Sequence, residues 1–82
     1  MIQKNISIVS SLEARPAALF VQTASHFKSQ IKVQMDNKMV NAKSIMGMIS
    51  LGILNGQQIT LIVDGEDEQE AVTALEDFLA GE

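Results

Sequence analysis

Ten residues from Ile45 to Leu54 set the tightest limit on how this chain folds. Wound as a helix, Ile45, Met46, Met48, Ile49, Leu51, Ile53 and Leu54 point in nearly every direction. Only Gly47, Ser50 and Gly52 interrupt them, so no polar face is left for water. A helix buried on all sides would satisfy that pattern. An 82-residue chain offers little room for one, because domains near that size hide only about 60–65% of their unfolded surface. The pattern fits better a helix packed on one side, with a Met-bearing apolar patch left for a partner. Ser44 stands directly ahead of the run, where its hydroxyl can cap the first free backbone N–H groups at the positive end of the helix. An ordinary N-cap and a modifiable serine both fit that position.

The remaining segments give the layout. Residues 2–9 alternate as a first strand, with Ile2, Ile6 and Ile8 facing inward. Pro16 suits the first turn of a helix over about 15–27, whose inner face is Ala17, Phe20, Ala24 and Phe27, with His26 and Lys28 at its negative pole. Ile31, Val33 and Met35 alternate as a second strand. Asp36-Asn37-Lys38 is turn chemistry and Met39-Val40-Asn41 a short return, so 30–42 reads as a hairpin. The Ser44-led helix is expected to stop at Asn55-Gly56, a pair that tolerates positive φ. Ile59, Leu61 and Val63 form the last strand, and Ala71, Ala74, Leu75, Phe78 and Leu79 mark a final helix over about 67–80. Glu66-Asp67-Glu68 reads as a solvated, dipole-matched start to that helix. The order β-α-β-β-α-β-α predicts an α+β fold: a two-layer, open-faced sandwich over residues 1–82, expected as a single domain. Its four-stranded, mainly antiparallel sheet, in order 1-4-2-3, is covered on one face by three helices.

Composition excludes several functions. The chain has no cysteine and one histidine, His26, which removes disulfides, thiolate metal sites and multi-histidine sites; neither metal nor cofactor is expected. The apolar run is ten residues, well short of the about 20 that a membrane span needs. With no signal peptide apparent, a cytoplasmic location and no membrane contact are expected. The net charge of −4 hides an asymmetry: through Lys43 there are six basic residues against Glu13 and Asp36, and from Ser44 onward eight acids and no base. An acidic chain without Trp or Tyr lacks the footprint of a nucleic-acid binder, so direct DNA contact is not expected. Unpaired sheet edges leave a homodimer open.

Three motifs together resemble the HPr family of the bacterial sugar phosphotransferase system. Leu12-Glu13-Ala14-Arg15-Pro16-Ala17 is similar to its active-site loop, and Val40-Asn41-Ala42-Lys43-Ser44-Ile45-Met46-Gly47 to its regulatory-serine motif. Gly65-Glu66-Asp67-Glu68 resembles the start of its last helix. One departure stands out. Where the family carries its phosphorylated histidine, this chain has Glu13. An imidazole passes a phosphoryl group on as a labile phosphoramidate, whereas a carboxylate would need a high-energy acyl phosphate. His26 lies at the far end of the first helix and is no substitute. A serine kept and a histidine lost resembles the Crh-type branch of the family in Gram-positive bacteria, although a neutral Gln is usual there. The resemblance implies a non-enzymatic regulator of carbon catabolite repression. In it Ser44 is phosphorylated by HPr kinase/phosphorylase, and the phosphorylated chain serves the transcription factor CcpA as corepressor. Arg15, Ile45, Met46, Met48 and Ile49 would be the partner-binding residues. A phosphocarrier working through another residue, and a binding module that regulates a metabolic enzyme, stay open at this point.

Overall fold

The computed structural model of the protein describes residues 1–9, 14–53 and 56–80. Its elements follow the expected order: β1 (Ile2–Ser7), α1 (Ala14–Ser25), β2 (Gln30–Met35), β3 (Lys38–Asn41), α2 (Ile45–Leu51), β4 (Gln58–Asp64) and α3 (Glu68–Leu79). One sheet runs β1-β4-β2-β3, with every neighbouring pair antiparallel. The register sets Ile6 opposite Ile59, and Val33 between Leu61 and Val40. Residues two apart on a strand share a face. Ile31, Val33 and Met35 on β2, and Ile59, Leu61 and Val63 on β4, are therefore buried together, while Gln30, Lys32 and Gln58 are exposed.

The helices close the buried face. Ala17, Phe20 and Ala24 of α1 and Ala71, Val72, Leu75 and Leu79 of α3 join the same core. Phe20 meets Phe78 edge to face at 5.7 Å between ring centroids, a geometry that adds to the area the two rings bury. Asp36 takes a left-handed φ of 57° in the β2–β3 turn, which Asp tolerates better than most residues. Among the described residues no helix is long and apolar enough to cross a membrane.

Two expectations need correction. α2 ends at Leu51 and not at Asn55-Gly56: Gly52 already adopts φ 61° and ψ 47°, and its N–H donates to the Ile49 carbonyl at 3.1 Å. Ile53, read as part of the helix, is a buried residue of the chain beyond it. The apolar run lacks a polar face because it is two segments, only one of them helical. Leu54 and Asn55 lie outside the described residues.

The second correction concerns Asp67. It makes no side-chain cap to its own helix. Its carboxylate instead accepts from the Lys28 N–H (2.8 Å), the Ser29 N–H (3.0 Å) and the Ser29 hydroxyl, tying the α1–β2 loop to the start of α3. Ser29 is buried there, and the backbones approach closely: a Cβ on residue 65 would sit 2.6 Å from Ser29 Cα, so position 65 must be glycine. The hydrogen bond from the Ser29 hydroxyl, followed by that from the Lys28 N–H, holds the Asp67 carboxyl below the usual aspartate range. A depressed native value means that this contribution to stability is present above the unfolded-state value and is lost as pH falls through the native one. Asp67→Asn is therefore expected to lower the Tm at neutral pH and to flatten the acid side of the stability profile, read by thermal unfolding across the acid range. An acid side as steep as in the parent protein would contradict this.

Candidate functional site

The segment from Asn41 to Leu51 is held in place before it presents anything to solvent. The Ala42 N–H donates to the Ile31 carbonyl at 2.9 Å, continuing the β2–β3 pairing for one more bond. The Asn41 side-chain carbonyl accepts from the Lys43 N–H at 2.9 Å. Lys43 then turns its ammonium to the Phe27 carbonyl at 2.7 Å, just past the C-terminal end of α1, where a cation is favoured. The Ser44 N–H donates to the Asn41 carbonyl at 3.0 Å. The chain therefore reaches α2 along a fixed path.

Ser44 is the N-cap of α2, as its position predicts. Its backbone is extended (φ −109°, ψ 115°), and its hydroxyl oxygen accepts from the Gly47 N–H at 3.1 Å. The Ser44 carbonyl accepts the first helical bond, from the Met48 N–H at 3.0 Å. The residue is half-buried. Gly47 matters for space: a Cβ there would lie 3.3 Å from Ser44 Oγ and 3.2 Å from Val40 Cβ, crowding the hydroxyl and lifting the helix from β3. The Gly47 N–H is the hydrogen-bond partner of Ser44 Oγ among the described residues, and no carboxylate or imidazole is bonded to take its proton. Neither acid nor base flanks it inside the helix: the first turn of α2 carries no acidic residue and the last turn no basic one.

Beside Ser44 the helix divides sharply. Met46 is 77% exposed, Ile45 46% and Ile49 44%, whereas Met48 is wholly buried, as is Leu51. Three of the four apolar positions predicted for a partner thus face outward. Met48 does not; it is three residues before Leu51 on the same stripe, and that pair anchors α2 to the core. On α1, which packs against α2, Leu19 is another large apolar residue left nearly half exposed. Its signal was available, since Leu19 falls off the Ala17, Phe20, Ala24 stripe. Arg15 lies in the first turn of α1, and Glu13 lies outside the described residues. His26 follows the other end of α1, exposed in the turn that its N–H closes on the Thr23 carbonyl. Among the described residues, no group of three or more His, Cys, Asp or Glu side chains could hold a metal.

Comparison with known proteins places this geometry. Residues 2–81 match the family model described as the PTS HPr component phosphorylation site. The HPr-like protein Crh of Halalkalibacterium halodurans is 52% identical over 84 aligned positions that span all of both chains. Among solved structures, HPr-C-His from Thermoanaerobacter tengcongensis superposes with a TM-score of 0.93 at 54% identity, covering 99% of this chain and 93% of that one. Bacillus subtilis Crh, whose crystal structure is described as a dimer with a swapping domain, superposes with a TM-score of 0.81 at 47% identity, covering 99% and 95%.

Energetics follow from the division of α2. Ser44→Ala removes the cap and is expected to cost about 1 kcal/mol. Met48→Ala should cost about 2–4 kcal/mol through the cavity it opens, and Met46→Ala less than about 0.5 kcal/mol. Denaturant unfolding of the three variants checks this, and a Met46→Ala loss equal to that of Met48→Ala would contradict the division.

Proposed function

The chain belongs to the HPr family, and on that premise we propose that it is a phosphoserine-switched regulator of carbon catabolite repression, of the Crh type. In this reading HPr kinase/phosphorylase transfers the γ-phosphoryl group of ATP to the Ser44 hydroxyl, and the phosphorylated chain acts as corepressor of CcpA. The observation that carries the reading is the juxtaposition of a half-buried N-cap hydroxyl with exposed Ile45, Met46 and Ile49.

Phosphorylation there changes charge without demanding a new fold. A phosphate brings roughly −1.5 to −2 charge beside backbone N–H groups that Ser44 already serves as an acceptor. Phosphate oxygens can take over the Gly47 N–H while the ester oxygen stays where the hydroxyl was. A partner with a cationic pocket next to an apolar surface would then gain charge-assisted hydrogen bonds and bury Met46 in one docking event. Without the phosphate, that cationic pocket would be desolvated with no counter-charge, and the complex would be weaker. The switch is thus a local change of charge next to a constant apolar surface. Arg15 belongs to the same proposal through its place in the family motif.

Glu13 argues against the older phosphocarrier role. Its position is that of the family's histidine, and a carboxylate offers no route to a phosphoramidate. Mass spectrometry after incubation with HPr kinase and ATP is expected to find one phosphate, on Ser44, while phosphoenolpyruvate and Enzyme I leave the chain unlabelled. Phosphate from Enzyme I, or none on Ser44 from the kinase, would overturn the proposal. Sedimentation of the same samples reads whether this chain dimerises as the Bacillus subtilis relative does.

A further inference from the structure

Beside the segment that leads into α2, a cleft of about 330 Å³ opens where β2 begins and β3 ends. Lys28, Lys32 and Lys43 line it, with Asn41 and Ile31. Half of the six basic residues of a chain with net charge −4 thus meet in one hollow. Like charges gathered in one hollow repel. Among the described residues, the ion pairs involve only Lys4 and the terminal amine of Met1, so none of the three ammonium groups is matched by a carboxylate. The neighbouring acids have other partners: Asp67 takes the Lys28 and Ser29 amides at the edge of the cleft, and Asp64 pairs with the terminal amine of Met1 at 3.7 Å beside a second hollow that shares Lys32.

Side-chain donors also predominate in the lining, which Gln30 and Ser29 complete. Ammonium groups only donate. Lys43 gives one proton to the Phe27 carbonyl and keeps others. The Asn41 carbonyl oxygen is taken by the Lys43 N–H, which leaves its amide N–H groups as donors. A cleft that offers donors and positive charge selects a ligand rich in acceptors and negative charge. Its size is at the small end of organic ligand sites, while Ile31 and the lysine stems give a carbon skeleton something to lie against.

We infer that this cleft binds a small phosphate-bearing metabolite, its phosphoryl group held by Lys28, Lys32 and Lys43. Ser44 is not among the lining residues, although Lys43 directly precedes it, and the occupant adds a chemical input that phosphorylation does not supply.

Amide NMR of the whole chain, titrated with glycerol 3-phosphate at fixed ionic strength, tests this. Saturable shifts are expected at Lys28, Ser29, Lys32 and Lys43. Lys28→Gln and Lys32→Gln, both at exposed side chains, should each weaken binding by roughly three- to ten-fold. Lys38→Gln, at the far end of the hairpin, should leave it unchanged. Shifts that never saturate, equal weakening by Lys38→Gln, or citrate binding as tightly as glycerol 3-phosphate would each overturn the inference.

Discussion

Two buried side chains, Met48 and Leu51, fix α2, and the character of the surface around Ser44 depends on them. They lie three residues apart, which is one stripe of a helix and no more. A seven-residue helix cannot persist on backbone hydrogen bonds alone, since isolated helices shorter than about 12–15 residues are marginal in water. It needs this anchor on one side and its caps at the ends. Ser44 and Gly52 supply the caps. The large side chains left over on the helix then face away from the core, and in this sequence, Gly47 and Ser50 apart, they are Ile45, Met46 and Ile49. The apolar patch follows from how little of a short helix can be buried at once.

The frame beneath α2 explains why a local change there can remain local. Asn41, Ala42 and Lys43 bind the preceding segment to β2 and to the end of α1, so added charge at residue 44 meets a path that is already set. Next to the Phe27 carbonyl that Lys43 holds, Asp67 ties the α1–β2 loop to α3. The charge asymmetry of the chain acquires a spatial meaning through these ties. Basic residues from the first half collect at the end of the β2–β3 hairpin, while the acids of the second half begin α3 and face solvent or the loop.

Periodicity made most of this legible from residue order. Alternation on β2 and β4 is strict because both strands are central, each with one face on the core, and the sheet order follows from interleaving their crossovers. The errors came where a tertiary contact outweighed a local signal. Asn55-Gly56 looked like the helix stop, yet Gly52 three residues earlier was sufficient, and burial of Ile53 drew the chain out of the helix. Met48 read as outward because the pattern carries no polar marker to show which side meets the core. Asp67 looked like ordinary helix-start chemistry, since its partners at 28 and 29 are distant in sequence and only the fold brings them near. At the site itself, the cap was readable from Ser44 alone.

In the proposed function, the phosphate decides whether a partner binds, and the outward face of α2 is what the partner covers. The five methionines make that directly measurable, because Met46 is exposed on α2, Met48 is buried beneath it, and Met39 is exposed on the edge strand β3. Methyl NMR of isotope-labelled methionine, recorded while CcpA is added, should show the Met46 signal shift or broaden only when Ser44 carries phosphate, with Met39 unmoved. An equal response from the unphosphorylated chain, or a response at Met39 in place of Met46, would contradict it.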